Sequence, residues 1–231
     1  MLLSDSGREL PELADRELLP LNVLLHCRTV VEKQNFVATG LMTRVEGELF
    51  EIELNEFDLF ELGETVKLTI YSPAGIQTIS SIVFAKYDGV ISLLQPPTLM
   101  KRFKEKREHP RVQINGNAFV SHIVDEGQEL ILPEPLQLVI QDISLSGLGF
   151  VGPDSPYFSR NSKLRAKVQI GFEFSCGLEV VRRDKQDDGL LIGAKMDVSD
   201  QEVMRALRAT ILRQQVEIHA DLRRKGETKR F

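Results

Sequence analysis

The chain has no tryptophan, three tyrosines and two cysteines in 231 residues. Cys27 and Cys176 lie far apart and belong to no C-x-x-C pattern. That argues against a disulfide framework or a cysteine metal site, and predicts two buried thiols in a reducing compartment. No apolar run approaches the ~18 residues needed to cross a bilayer, so no membrane insertion is expected. Met1-Leu2-Leu3-Ser4-Asp5 lacks a basic region followed by an apolar core, so no secretory signal is expected either. Together these features predict a cytoplasmic protein. His26, His109, His122 and His219 show no metal-ligand spacing. There is no Gly-rich phosphate loop and no nucleophile elbow. The expectation is no catalytic residue, no metal, no cofactor and no enzymatic activity. The net charge is −5, whereas a phosphate-tracking protein carries a broad positive field, so nucleic acid is not an expected partner.

What is present is an ordinary globular composition, 42% hydrophobic and 27% charged, with enough length for one large or two small domains. Residues 4–18 mix acidic residues with leucines and read as a loose turn or arm. Leu21 to Cys27 reads as a strand, with His26 a core or edge histidine. Phe36–Val45, Leu49–Leu54, Thr65–Tyr71, Ile76–Ala85 and Gly89–Leu94 follow as short β-type runs, separated by Glu46-Gly47, Ser72-Pro73-Ala74-Gly75 and similar turn signals. This pattern predicts an antiparallel barrel or sandwich without a long helix between residues 20 and 97.

A second strand set begins at Val112-Gln113-Ile114 and Ala118-Phe119-Val120, followed by Leu136–Ile140 and Leu148–Val151. From Leu164 to Val180 every even-numbered residue is apolar, including Phe172, Phe174 and Cys176. A period of two means strand with one buried face. The run is too long for one strand, so a hairpin turn is expected near Gly171. Another turn is read at Asp187-Asp188-Gly189, before Leu190–Met196. Ser199-x-x-Glu202 is a capping-box signature, and apolar residues from Val203 to Leu222 then recur at helical spacing. This predicts a helix of about twenty residues, laid on the second barrel or on a partner. Its basic end, Arg223-Arg224-Lys225, suits the helix dipole, and Gly226 is the expected stop.

Between the two strand sets lies Lys101-Arg102-Phe103-Lys104-Glu105-Lys106-Arg107-Glu108-His109-Pro110-Arg111, with six basic and two acidic residues in an otherwise net acidic chain. Guanidinium is always charged and forks onto phosphate oxygens, and it also stacks on flat rings. Arg107 and Arg111 in an irregular segment could therefore converge on one anion. Taken alone, such a cluster is a solvated surface. Asp142-Ile143-Ser144-Leu145-Ser146-Gly147 closes a predicted strand. A carboxylate accepts paired bonds from the edge of a guanine, a hydroxyl can bond nearby, and glycine permits positive φ or close backbone approach. Taken alone, it is a plain turn.

In this order and at this separation, Arg107-x-x-x-Arg111 and Asp142-x-Ser144-x-x-Gly147 resemble the paired signature of PilZ domains, receptors for the bacterial second messenger cyclic di-GMP. The resemblance covers about residues 101–225 and includes Leu148-Gly149-Phe150 and Gly193-Ala194-Lys195-Met196. Residues 19–97 are similar to the N-terminal barrel of YcgR-type members, in which the arginine motif lies at the hinge. The implied fold is mainly β, with two small antiparallel β-barrels joined by a basic linker and a C-terminal helix. The implied units are residues 1–97, a linker 98–111, and a PilZ barrel with its helix, 112–231.

The resemblance implies that Arg107 and Arg111 bind phosphates and stack on or bond the guanines. Asp142 and Ser144 would read guanine edges, and Gly147 would shape the loop. Lys106 precedes the first motif arginine, a position that influences whether one nucleotide or an intercalated pair binds. Arg102, with Lys101 and Lys104, would add phosphate contacts. The implied function is a cyclic di-GMP receptor that changes its interdomain arrangement and signals to a protein partner. For YcgR-like proteins that partner is the flagellar motor or stator at the basal body, with motility and biofilm as outputs. A homodimer is one arrangement the sequence allows. The alternative is a nucleotide-independent protein-interaction scaffold with the same fold.

Overall fold

The computed structural model describes residues 19–95, 109–125, 128–186 and 189–227. Six strands form the first barrel: β1 (Arg28–Lys33), β2 (Phe36–Glu46), β3 (Leu49–Glu53), β4 (Thr65–Ser72), β5 (Gly75–Tyr87) and β6 (Val90–Leu94). They close in the order β1-β2-β3-β6-β5-β4, every pair antiparallel. β4 shows the cause: Val66, Leu68 and Ile70 are buried while Thr65 and Lys67 face out. The β5–β6 connection is Asp88-Gly89, both at positive φ (43° and 79°), the pairing that matches the twist of a tight hairpin. Phe50, Phe60, Met42, Leu68 and Ile91 fill the interior.

The second barrel repeats this plan with β7 (Val112–Asp125), β8 (Gln128–Ser144), β9 (Gly147–Gly152), β10 (Lys163–Gln169), β11 (Glu173–Gln186) and β12 (Gly189–Asp197), closed as β10-β11-β12-β9-β8-β7. The alternating run does turn at Gly171, and its even-numbered residues supply much of the core. Phe172 and Phe174 stack there with ring centroids 5.5 Å apart and pack on the core. Phe150 and Phe158 meet edge to face, ring centroids 6.0 Å apart. Both cysteines are buried and unbridged. Burial raises both thiol pKa values, that of Cys176 to about 12 with the Asp197 charge adding to it.

Helix α1 (Gln201–Glu227) is 27 residues, or about 40 Å, long. Val203, Met204, Leu207 and Ile211 pack on the core of the second barrel. Its second half runs along the first barrel, where Arg223 reaches Glu53 at 2.9 Å and Arg224 reaches Asp88 at 3.5 Å. The helix is thus longer than the periodicity suggested, and its basic end serves ion pairs with another domain in addition to the dipole. Gly226 lies within the last turn instead of stopping it.

Three further expectations are corrected. Leu21–Leu24 form a 3₁₀ turn, not a strand, because Leu21 and Leu24 cap the barrel interior at i and i+3 while Asn22 faces water. His26 is exposed at a φ of 60°, its N–H donating to the Met42 carbonyl at 2.7 Å, so it is neither a core nor an edge histidine. The helix cap is Asp200 and not Ser199. The Asp200 carboxylate accepts from the N–H groups of Glu202 (2.8 Å) and Val203 (3.4 Å). Residues 4–18, the turn at 187–188 and the linker through Glu108 lie outside the described residues.

Each barrel has its own core, so damage to one should register locally. Phe150→Ala should destabilise the second barrel by about 3–5 kcal/mol, the usual cost of emptying a buried aromatic site. Denaturant unfolding followed by near-ultraviolet dichroism checks this. A loss below about 1 kcal/mol would contradict a sealed core around Phe150.

Candidate functional site

The site is built where β7 begins and β8 ends. Val112 is buried and its backbone pairs with Ile143. That pairing sets the preceding residue, Arg111, beside Asp142, 31 positions away in sequence. The Arg111 Nη1 lies 3.5 Å from Asp142 Oδ1, and about a third of each side chain is exposed. A long, solvated pair of this kind contributes under about 1 kcal/mol. It holds a guanidinium and a carboxylate together at little cost to separate them.

The Asp142 carboxylate rests on Gly149. The two residues are register partners across β8 and β9, next to an irregularity between Ile140 and Asp142. A Cβ placed at Gly149 would sit 2.7 Å from Asp142 Oδ2, inside any real contact. Only glycine therefore lets the carboxylate lie flat on β9. Sequence reasoning named Gly147 and passed over Gly149, although residues two apart on a strand share a face.

Ser144 is buried, and its hydroxyl donates to the Gly147 carbonyl at 3.3 Å, bracing the turn between β8 and β9. A Cβ at Gly147 would lie 3.0 Å from the Ala194 carbonyl, 3.6 Å from Ser144 Oγ and 4.0 Å from Arg111 Nη2. The glycine is thus required for close approach to β12, with no positive φ. Arg111, Asp142, Ser144 and Gly147, picked out from the sequence, meet in one place. Arg102, Lys106 and Arg107 lie outside the described residues. Beside the same turn, Ser146, Lys163, Arg165, Glu179, Lys195 and Asp197 line an open groove of about 570 Å³.

Among the described residues, no group of three or more His, Cys, Asp or Glu side chains is arranged to hold a metal ion. No helix among them is long and apolar enough to cross a membrane.

Residues 105–213 match the family model of the PilZ domain. A comparison with curated proteins returns no match. Among solved structures the chain is similar to K. pneumonia MrkH in its c-di-GMP complex, at 14% identity over 85% of this chain and 90% of that one, TM-score 0.41. It is similar to the Bacillus subtilis inhibitor of motility MotI/DgrA at 14% identity, over 84% and 98%, TM-score 0.39. For Escherichia coli YcgR in complex with c-di-GMP the figures are 12% identity, 90% and 92%, and 0.38. The matched segment begins just before the first motif arginine, includes both motifs and the whole second barrel, and ends within α1. Residues 105–213 of this chain form a PilZ domain.

Proposed function

We propose that the chain is a cyclic di-GMP receptor of the YcgR type and that its ligand sits at the mouth of the second barrel. The observation that carries this reading is the convergence of Arg111, Asp142, Ser144 and Gly147 at the ends of β7, β8 and β9. A doubly anionic ligand would take the guanidinium of Arg111 away from Asp142. The freed carboxylate would then accept the paired N–H donors of a guanine edge. Ser144, already committed to the Gly147 carbonyl, would hold the turn in shape and offer its hydroxyl to the ligand. Arg107 would grip the second phosphate or stack on a base, with Lys106 and Arg102 adding charge.

In this proposal residues 1–97 and 112–231 are the two units and 98–111 the hinge. Ligand would draw the hinge segment onto the second barrel and alter the interdomain arrangement, an order or hinge transition of a familiar kind. The ligand drives it only through its greater affinity for the rearranged form. The new surface would be read by a protein partner, the flagellar motor being the one we favour, with control of motility as the output. A cytoplasmic site of action near the flagellar base belongs to the same proposal.

Calorimetric titration of the full chain with cyclic di-GMP tests the receptor reading. Wild type should bind in the micromolar range or tighter. Arg111→Ala should lose at least tenfold, since a hydrogen bond to a charged group contributes about 1.5–3 kcal/mol. Undiminished binding by Arg111→Ala, or none by wild type, would leave the constitutive scaffold as the better account. Gly149→Ala should displace the Asp142 carboxylate and weaken binding by a similar factor. Retained affinity in Gly149→Ala would mean that the carboxylate does not touch the ligand.

A further inference from the structure

Helix α1 holds the two barrels by different chemistry. One face of its first half packs in apolar contact on the second barrel, whereas charged side chains fasten the helix to the first barrel. His219 is only 5% exposed. Its Nδ1 lies 2.5 Å from Glu51 Oε1 and its Nε2 3.1 Å from Glu46 Oε2. An imidazole that serves a carboxylate at each nitrogen must donate from both, which requires the cation. The Tyr87 hydroxyl donates to the same Glu51 oxygen at 2.6 Å, and Arg44 lies 3.4 Å from Glu51 and 4.0 Å from Glu46.

The charged and titratable groups facing His219 are thus Arg44 and Glu46 on β2, Glu51 on β3 and Tyr87 on β5. One turn away along α1, Arg223 is engaged with Glu53 and the Asp88 carbonyl. Burial opposes the charge on His219, but the bonds to Glu46 and Glu51 outweigh it and raise the imidazole pKa. The bond from His219 lowers the Glu46 pKa against the effect of burial. Burial acts most strongly on Glu51, yet the bonds from His219 and Tyr87 still leave its pKa lowered.

The tip of the β2–β3 hairpin, Glu46-Gly47-Glu48, is where everything meets. Glu46 holds His219, and Glu48 holds Arg208 at 2.6 Å. Between them Gly47, at a φ of 57°, leaves a notch that Pro110 fills, and a Cβ there would lie 2.5 Å from Pro110 Cγ. Pro110 immediately precedes Arg111. Behind this seat Gln215 is 2% exposed and its amide has no hydrogen-bond partner among the described residues, a packing that costs free energy.

We propose that this hairpin tip, clasped by His219 and Arg208 and wedged by Pro110, is an interdomain latch fastened in the nucleotide-free arrangement and released when nucleotide draws the linker onto the second barrel. The proposal rests on the receptor reading above. Coupling between the latch and the ligand site is reciprocal. Weakening the latch lowers the population of the arrangement that the ligand must undo, so nucleotide binds more tightly. The latch also has a pH window. The His219 contribution is complete below about pH 6.5 and is lost as pH rises through its raised value. The Glu46 and Glu51 contributions are complete above the ordinary carboxylate range and are lost as pH falls through their lowered values.

The test uses the full chain in two forms, Arg208→Ala/Arg223→Ala, which removes the cations that reach Glu48 and Glu53, and His219→Gln. Cyclic di-GMP affinity is measured by calorimetry and interdomain spread by small-angle X-ray scattering. Both variants should bind nucleotide about fivefold or more tightly than wild type and have a larger ligand-free radius of gyration. Wild-type affinity should tighten as pH rises past the imidazole transition, and His219→Gln should lack that component. Unchanged or weaker nucleotide binding in both variants overturns the proposal. If wild type binds no cyclic di-GMP, the receptor reading fails by itself. Scattering then decides the latch: expansion of both variants supports it, and unchanged dimensions overturn it.

Discussion

The backbone pairing of Val112 with Ile143 determines where the second barrel begins and where the candidate site is built. Two residues 31 apart in sequence, Arg111 and Asp142, become neighbours because β7 and β8 run antiparallel from that point. The rest of the site then follows from the ladder. Gln113 pairs with Asp142, Asp142 with Gly149, and Ser144 with Gly147, so each functional residue has a fixed place on a sheet closed on itself. Moving the register of β8 by one residue would turn Asp142 to the opposite face and bury a carboxylate against Leu148 and Phe150 while Ile143 turned outward. The core on one side of the sheet therefore secures the chemistry on the other.

Much of this was legible because period-two alternation leaves little ambiguity. Leu164 to Val180 could only be strand with one buried face, and Gly171 was the natural turn. The motif residues could be paired because their order and separation resemble the PilZ signature. Misreadings have physical causes. Leu21 to Cys27 is a largely apolar run, and periodicity alone cannot separate a buried strand from a capping turn. Ser199 and Asp200 are both good N-caps, and only the backbone geometry chose between them. The bulges in β2, β5, β7 and β11 leave no mark in the alternation that surrounds them.

Contacts of high sequence separation were invisible. His219 meets Glu46 and Glu51 across more than 160 residues. In sequence it is one polar residue on a helix, and the glutamates are outward positions of ordinary strands. Glu46, Glu48, Glu51 and Glu53 together give β2 and β3 an acidic outer margin, and α1 meets it with His219, Arg208 and Arg223. The first barrel and the helix are complementary in charge, which no local pattern could reveal. Gly149 was also passed over, though its spacing from Gly147 placed it on the same face of β9.

Closure of both sheets limits how another protein can recognise this one. Every barrel strand among the described residues is hydrogen-bonded to a strand on each side, although β8 pairs with β9 only over Val139–Ser144 and its earlier part pairs with β7 alone. Where the sheets are closed, β-augmentation has no unpaired backbone to use, and what the barrels present there is a wall of side chains. On the first barrel, Leu41, Arg28, Tyr71 and Ile76 are consecutive register partners across β2, β1, β4 and β5, and all are exposed. A protein reading that wall would meet an apolar belt crossed by a single cation, on strands whose spacing the barrel holds constant.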